Sequence, residues 1–104
     1  MSQFDVYPHP LEELRDTQPY VLQIQSDFVR SPEARMAIPL VCQHPDNPPM
    51  SRLNPELKLG DAWFMLDTLH IGSFEPGDLR GAVANLREQA DAIWDALDYA
   101  LHGD

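Results

Sequence analysis

The sequence predicts a mainly β chain closed by one C-terminal α-helix, and three observations carry that expectation. Tyr20, Leu22 and Ile24 alternate with more polar neighbours; after a break at Asp27 and Ser31-Pro32 the alternation resumes at Met36, Ile38 and Leu40, which reads as strand, turn, strand. Gly60-Asp61 sits between Leu57-Lys58-Leu59 and Ala62-Trp63, the composition of a tight hairpin turn. From Asp78 the apolar period lengthens from two to about 3.6, so that Leu79, Val83, Leu86, Ala90, Ile93, Leu97 and Leu101 share one face of a helix, with Ala82 and Trp94 at its borders.

The elements follow in order. Phe4 and Val6 alternate with Gln3, Asp5 and Tyr7 as a first short strand, which Pro8-His9-Pro10 stops. Residues 11–18 form a polar connection before the strand opened by Tyr20. A third strand covers residues 35–41; Pro39 has no N–H for a ladder, which predicts an edge or a bulge. Residues 42–49 are too rich in proline for regular structure. Trp63 to Leu66 is continuously apolar, as expected of a strand covered on both sides, and Trp63, Phe64 and Met65 are assigned to the core. One more strand is expected over residues 68–71, after a bend near Asp67. Asp78 is the expected N-cap of the helix and Gly103 its terminator. The result is five or six short antiparallel strands and one packed helix, with residues 1–104 as one domain.

Seven Lys and Arg stand against 17 Asp and Glu, a formal net charge of -10. Direct nucleic-acid binding is disfavoured, because it rests on basic side chains releasing counterions, and a basic protein surface is the more natural target. The single Cys42 cannot form an internal bridge; it reads as a small half-buried residue in a reducing compartment. No apolar run approaches the roughly 20 residues of a membrane span, and the first residues lack the basic-then-apolar order of a signal peptide. A soluble cytoplasmic protein is expected.

Catalytic machinery is not visible. His9, His44, His70 and His102 are scattered, without zinc-ligand spacing to Cys42 or a carboxylate. Gly-x-Ser-x-Gly and Gly-rich phosphate loops are absent, so no cofactor is expected and a protein that acts by binding is favoured over a small enzyme. Glu88, Asp91, Asp95 and Asp98 fall on one side of the expected helix, where carboxylates near a C-terminus oppose the macrodipole and one another. That stripe is either a solvated face or a dock for a basic protein surface. Arg35 either orders the preceding loop by pairing with Asp27 or is simply exposed.

Several segments together resemble the CcdB family, toxins that bind the A subunit of DNA gyrase. They are Gln3-Phe4-Asp5-Val6-Tyr7, Gln25-Ser26-Asp27 with Arg35-Met36-Ala37-Ile38-Pro39-Leu40, Ser51-Arg52, the Gly60-Asp61 turn followed by Trp63, and residues 83–103 as the terminal helix. The resemblance implies a small SH3-like antiparallel barrel capped by that helix, and a two-fold homodimer. It implies trapping of the gyrase–DNA cleavage complex without catalysis by the toxin. It also implies neutralisation by a CcdA-like antitoxin and repression of the operon by the toxin–antitoxin complex. Carried over, the gyrase-binding positions are Phe28, Val29, Asp98, Leu101, His102, Gly103 and Asp104. The antitoxin-facing candidates, from residues 8–18 and 41–49, are His9, Glu12, Arg15, Cys42, His44 and Asp46. The chain departs from the family at its end: poisonous members finish Trp-Gly-Ile, this one His102-Gly103-Asp104. A non-poisoning homologue serving as an antitoxin-binding or regulatory module is the alternative.

Overall fold

Val6, Leu22 and Ile38 pair across three neighbouring strands, and Leu40 pairs with Leu66, so the alternating apolar residues of the sequence meet on one side of a curled antiparallel sheet. All five are fully buried. The computed structural model describes residues 2–42 and 52–103. Met1, residues 43–51 (His44 and Asp46 among them) and Asp104 lie outside the described residues.

The strands are β1 (Asp5–Pro8), β2 (Tyr20–Gln23), β3 (Arg35–Val41), β4 (Glu56–Leu59), β5 (Ala62–Leu66), β6 (Gly72–Phe74) and β7 (Ala84–Asn85). They are ordered β4-β5-β3-β2-β1-β7, with β6 also on β3, and curl into a nearly closed antiparallel barrel followed by α1 (Ala90–His102). Ile93 and Ala96 of α1 are fully buried in the cluster that Val6, Leu22, Ile38, Leu40 and Leu66 build. The opposite face of the sheet carries a smaller cluster of Tyr7, Val21, Ala37 and Leu79, with Phe74 against it. The β4–β5 hairpin turns at Gly60, whose φ of 62° suits a residue without a side chain.

Pro39 is not at an edge. β3 is central, paired with β2 on one side and with β5 and β6 on the other. The Pro39 carbonyl accepts the Asp67 N–H at 3.0 Å, so its nitrogen faces the same side, between the stretch paired to β5 and the stretch paired to β6. The missing donor falls where the partner strand changes, and the ladder loses little.

Four other expectations are corrected. Residues 68–70 form a 3-10 turn in place of a strand. The Thr68 hydroxyl is buried and donates to the Leu53 carbonyl at 2.6 Å, while His70 Nδ1 lies 2.7 Å from Asp67 Oδ2. The strand comes just afterwards, as β6. Second, the helix begins at Ala90, and Asp78 belongs to a short 3-10 turn well before it. Gly81 takes a φ of 70°, which interrupts a helix, and the open edge of β1 captures the chain: Val83 and Leu86 donate to the carbonyls of Val6 and Phe4 at 2.8 and 2.9 Å. Leu79 and Leu86 are still buried, but against the sheet; Val83 is 53% exposed. Third, Trp63 is exposed and Phe64 half-buried, leaving Met65 and Leu66 as the buried part of β5. Fourth, Cys42 is likewise exposed.

Candidate functional site

The Gln25-Ser26-Asp27 motif builds a loop. Gln25 spans it, donating from Nε2 to the Val29 carbonyl at 2.7 Å and accepting the Met36 N–H on Oε1 at 3.0 Å. Ser26 Oγ accepts the Phe28 N–H at 3.1 Å, a local side-chain turn, and the Ser26 carbonyl accepts the Val29 N–H at 3.0 Å. Asp27 Oδ1 accepts the Gln3 N–H at 2.7 Å and anchors the loop to the start of the chain. Arg35 does not pair with Asp27; it orders the loop by donating to the carbonyls of Ser31 and Ala34. With its polar groups occupied, the loop pushes Phe28 outward, 95% exposed.

The other wall is the end of α1. Between loop and helix runs a groove of about 640 Å³, floored by Ile24 and Leu97 and lined by Val29, Met36, Leu69, Ile71, Trp94 and Leu101. Those last six are all exposed large hydrophobics, which marks a contact surface rather than scatter. Asp98 is the one charged side chain on the lining among the described residues. Trp94 is held from beneath by Phe4, edge to face with ring centroids 5.5 Å apart. Phe4 itself takes a φ of 72°, uncommon for a residue with a side chain; its N–H donates to the Gln23 carbonyl at 2.7 Å and its carbonyl accepts from Leu86.

Of the residues carried over for a target surface, Val29, Asp98 and Leu101 meet in this groove, while Phe28, next to Val29 in the chain, is exposed outside the lining. His102 and Gly103 are exposed at the helix end, where Gly103 adopts φ 74° and donates its N–H to the Tyr99 carbonyl at 2.8 Å. Met36, Leu69, Ile71 and Trp94 were missed as site residues. Leu69 and Ile71 fall in residues 68–71, expected as one more strand and not as part of a binding surface.

The acidic stripe is smaller than its sequence spacing suggested. Glu88 sits in the 3-10 turn Arg87–Gln89 outside α1. Arg52 donates to both oxygens of Asp95 at 2.9 and 3.2 Å and lies 4.8 Å from the Tyr99 ring centroid, which holds the Asp95 carboxyl below its usual pKa. Asp91 and Asp98 remain as exposed carboxylates.

The second set of residues sits around the 3-10 turn Glu12–Leu14. His9 is buried, with 4% exposure, its Nδ1 accepting the Leu11 N–H at 3.1 Å and its ring edge-on to Phe74. Burial, with Arg15 adding to it, pushes the imidazole pKa down, so His9 supports the loop and offers a partner almost no surface. Arg15 donates to the His9 carbonyl at 2.7 Å and lies 3.8 Å from Glu12. Cys42 donates its N–H to the Thr17 carbonyl at 3.0 Å, bringing Cys42 beside this segment.

Among the described residues no helix is long and apolar enough to cross a membrane, and no three His, Cys, Asp or Glu side chains gather as a metal site. No curated protein matches the chain. A family model described as CcdB protein matches residues 3–103, a span containing both walls of the groove and the segments that support them. The chain belongs to the CcdB family, whose members are toxins of toxin–antitoxin systems.

Proposed function

We propose that this chain is the toxin of a type II toxin–antitoxin system that binds the A subunit of DNA gyrase and traps the gyrase–DNA cleavage complex. A CcdA-like antitoxin neutralises it, and the toxin–antitoxin complex represses its own operon. The observation that supports the reading is the meeting of Val29, Asp98 and Leu101 in one apolar groove beside the fully projecting Phe28. A rigid loop carrying an exposed aromatic next to an apolar cleft is the arrangement from which interface hot spots are made. In this reading Phe28, Val29, Asp98, Leu101, His102, Gly103 and Asp104 contact gyrase. The protein acts as a homodimer, and the length of the apolar lining is in keeping with a second copy sharing part of the surface. Glu12, Arg15 and Cys42, with His44 and Asp46, are the antitoxin-facing positions; the burial of His9 makes it a support for them.

Overexpression of the chain alone in bacteria tests the reading. Growth arrest, relieved by the antitoxin and by gyrase A variants, is the expected result; normal growth at high expression would sink it. A second reading, a non-poisoning homologue that binds antitoxin or regulates transcription, is favoured by the His102-Gly103-Asp104 end. That end replaces an aromatic and an apolar residue by an imidazole and a carboxylate, which weakens apolar docking. Capture of gyrase A from lysate by the purified protein separates the two.

A further inference from the structure

The loop that walls the groove has a second cavity on its other side, of about 500 Å³, lined by Ser2, Gln23, Ser26, Asp27, Val29, Arg30 and Arg35. Strand alternation sends Gln23 there: Leu22 and Ile24 belong to the main core, whereas Gln23 pairs with Ala37, which shares its face of β3 with Arg35. Gln23 is 2% exposed, and its Oε1 accepts no hydrogen bond among the described residues. Buried side-chain amides are almost always paired, and an unpaired one is relieved by a group that enters and bonds to it.

The surrounding charge says which group. Arg30 is exposed and forms no ion pair among the described residues, and Arg35 spends only Nη1 on the Ser31 and Ala34 carbonyls. Against these two guanidinium groups stands one carboxylate, Asp27, already accepting from Gln3. The cavity is therefore locally cationic in a chain of net charge -10. We propose that it is a carboxylate-receiving site. Arg30 and Arg35 donate to the two oxygens, Ser26 lies at the lip, and the Gln23 amide, turned by half about its last side-chain bond, donates from the floor. The two ends of an amide have the same shape, so the turn needs no repacking. Planar guanidinium donors suit a carboxylate better than a point cation does. The site is independent of the gyrase assignment.

Such a carboxylate is either a free small molecule or an Asp or Glu side chain of a docked partner; Ser26 and Val29 line both cavities, so a segment seated in the groove reaches the lip. The test is an NMR titration of the full chain, following the Gln23 side-chain NH2 and the arginine Nε–H signals. The probes are sodium acetate and the capped peptide acetyl-Ala-Glu-Ala-amide, with sodium chloride at matched ionic strength as control. Saturable shifts with acetate alone support a small-molecule site; saturation by both probes supports a chain-borne side chain. Shifts that never saturate, or that chloride reproduces, overturn the proposal. Arg30→Gln, an exposed change that leaves the fold intact, is expected to weaken saturation about tenfold, and unchanged binding overturns it as well. Gln23→Leu keeps the volume and is expected to lose binding; if that variant unfolds, Arg30→Gln decides alone.

Discussion

The side-chain amide of Gln89 pairs with both backbone groups of Lys58: the Lys58 N–H donates to Gln89 Oε1 at 2.9 Å, and Gln89 Nε2 donates to the Lys58 carbonyl at 2.8 Å. β4 and β7 are the two ends of the strand order, and Gln89 follows β7 by four residues. A side chain thus does at Lys58 what a neighbouring strand would do and closes the barrel where its backbone does not. Gln89→Ala removes both bonds at a partly solvated position and is expected to lower stability by about 1 kcal/mol. Chemical denaturation checks it, with an unchanged m-value showing that the barrel otherwise remains.

Exposed residues in and beside the groove allow binding and folding to be tested separately. Leu101 is 76% exposed and Phe28 95%, so Leu101→Glu and Phe28→Ser should each leave stability within about 0.5 kcal/mol of the parent. Binding of a target that uses this face is expected to weaken by about 2 kcal/mol or more for either change. Thermal unfolding beside a growth assay measures both. Loss of arrest with an unchanged melting temperature is the expected pair of results.

Asp95 reports the Arg52 clamp. The hydrogen bonds from Arg52, more than its charge alone, hold the carboxyl pKa down. The clamp favours the folded state above the carboxyl pKa of the unfolded chain, and the gain is lost as pH falls through the folded value. Both partners are about half exposed, at 46% and 51%, so salt should erode the effect. A carboxyl-carbon NMR titration is expected to place Asp95 below the ordinary aspartate range, and Arg52→Gln to bring it back up.

His9 carries a pH dependence of the same direction. Burial is the main reason its folded pKa lies below 6.5, and its Nδ1 must stay unprotonated to accept the Leu11 N–H. The unfolded chain therefore binds the proton more readily, and stability present at neutral pH is lost as pH falls below about 6.5. An imidazole titration by NMR should put His9 below the value of a free histidine, and the melting temperature should drop between pH 7.5 and 5.5 (~two units) by less in His9→Phe than in the parent.

The start of α1 has a mutational signature. A helix from residue 79 would bury Val83, whereas here it is 53% exposed and Ile93 is fully buried. Val83→Ala is expected to change stability by no more than about 0.5 kcal/mol, and Ile93→Ala to cost about 2–5 kcal/mol. Equal losses at the two positions would contradict the boundary.

Alternation was enough to find Val6, Leu22, Ile38 and Leu40, because a period of two forces successive side chains to opposite faces, but Met36, in the same alternation, is exposed at the start of β3. Gly60 and Gly103 were readable for a similarly local reason: each turn needs a backbone conformation that a side chain resists. The Gln25-Ser26-Asp27 motif was visible as a family feature, while its task, holding Phe28 out and Val29 against the groove, depends on bonds to Gln3 and Met36. Residues 79–89 have a convincing helical period, yet Gly81 and the open carbonyls of β1 draw Val83 to Leu86 onto the sheet edge, with Ala84–Asn85 as a strand, a competition that no local window contains. Residues 68–71 read as a strand, but Thr68 bonds the Leu53 carbonyl in a 3-10 turn, and Leu69 and Ile71 line the groove with Trp94.

Local chemistry in the chain therefore decided where strands alternate, where they turn, how the helix ends, and to which family the protein belongs. Tertiary structure alone decided which partner each strand edge found, where α1 starts, and that a loop and a helix end about 70 residues apart, Val29 and Leu101 among them, face one another across an apolar cleft. The physical reason is that side-chain periodicity is set by neighbours in sequence, whereas unpaired backbone groups and exposed apolar surface are resolved by whichever segment arrives to cover them.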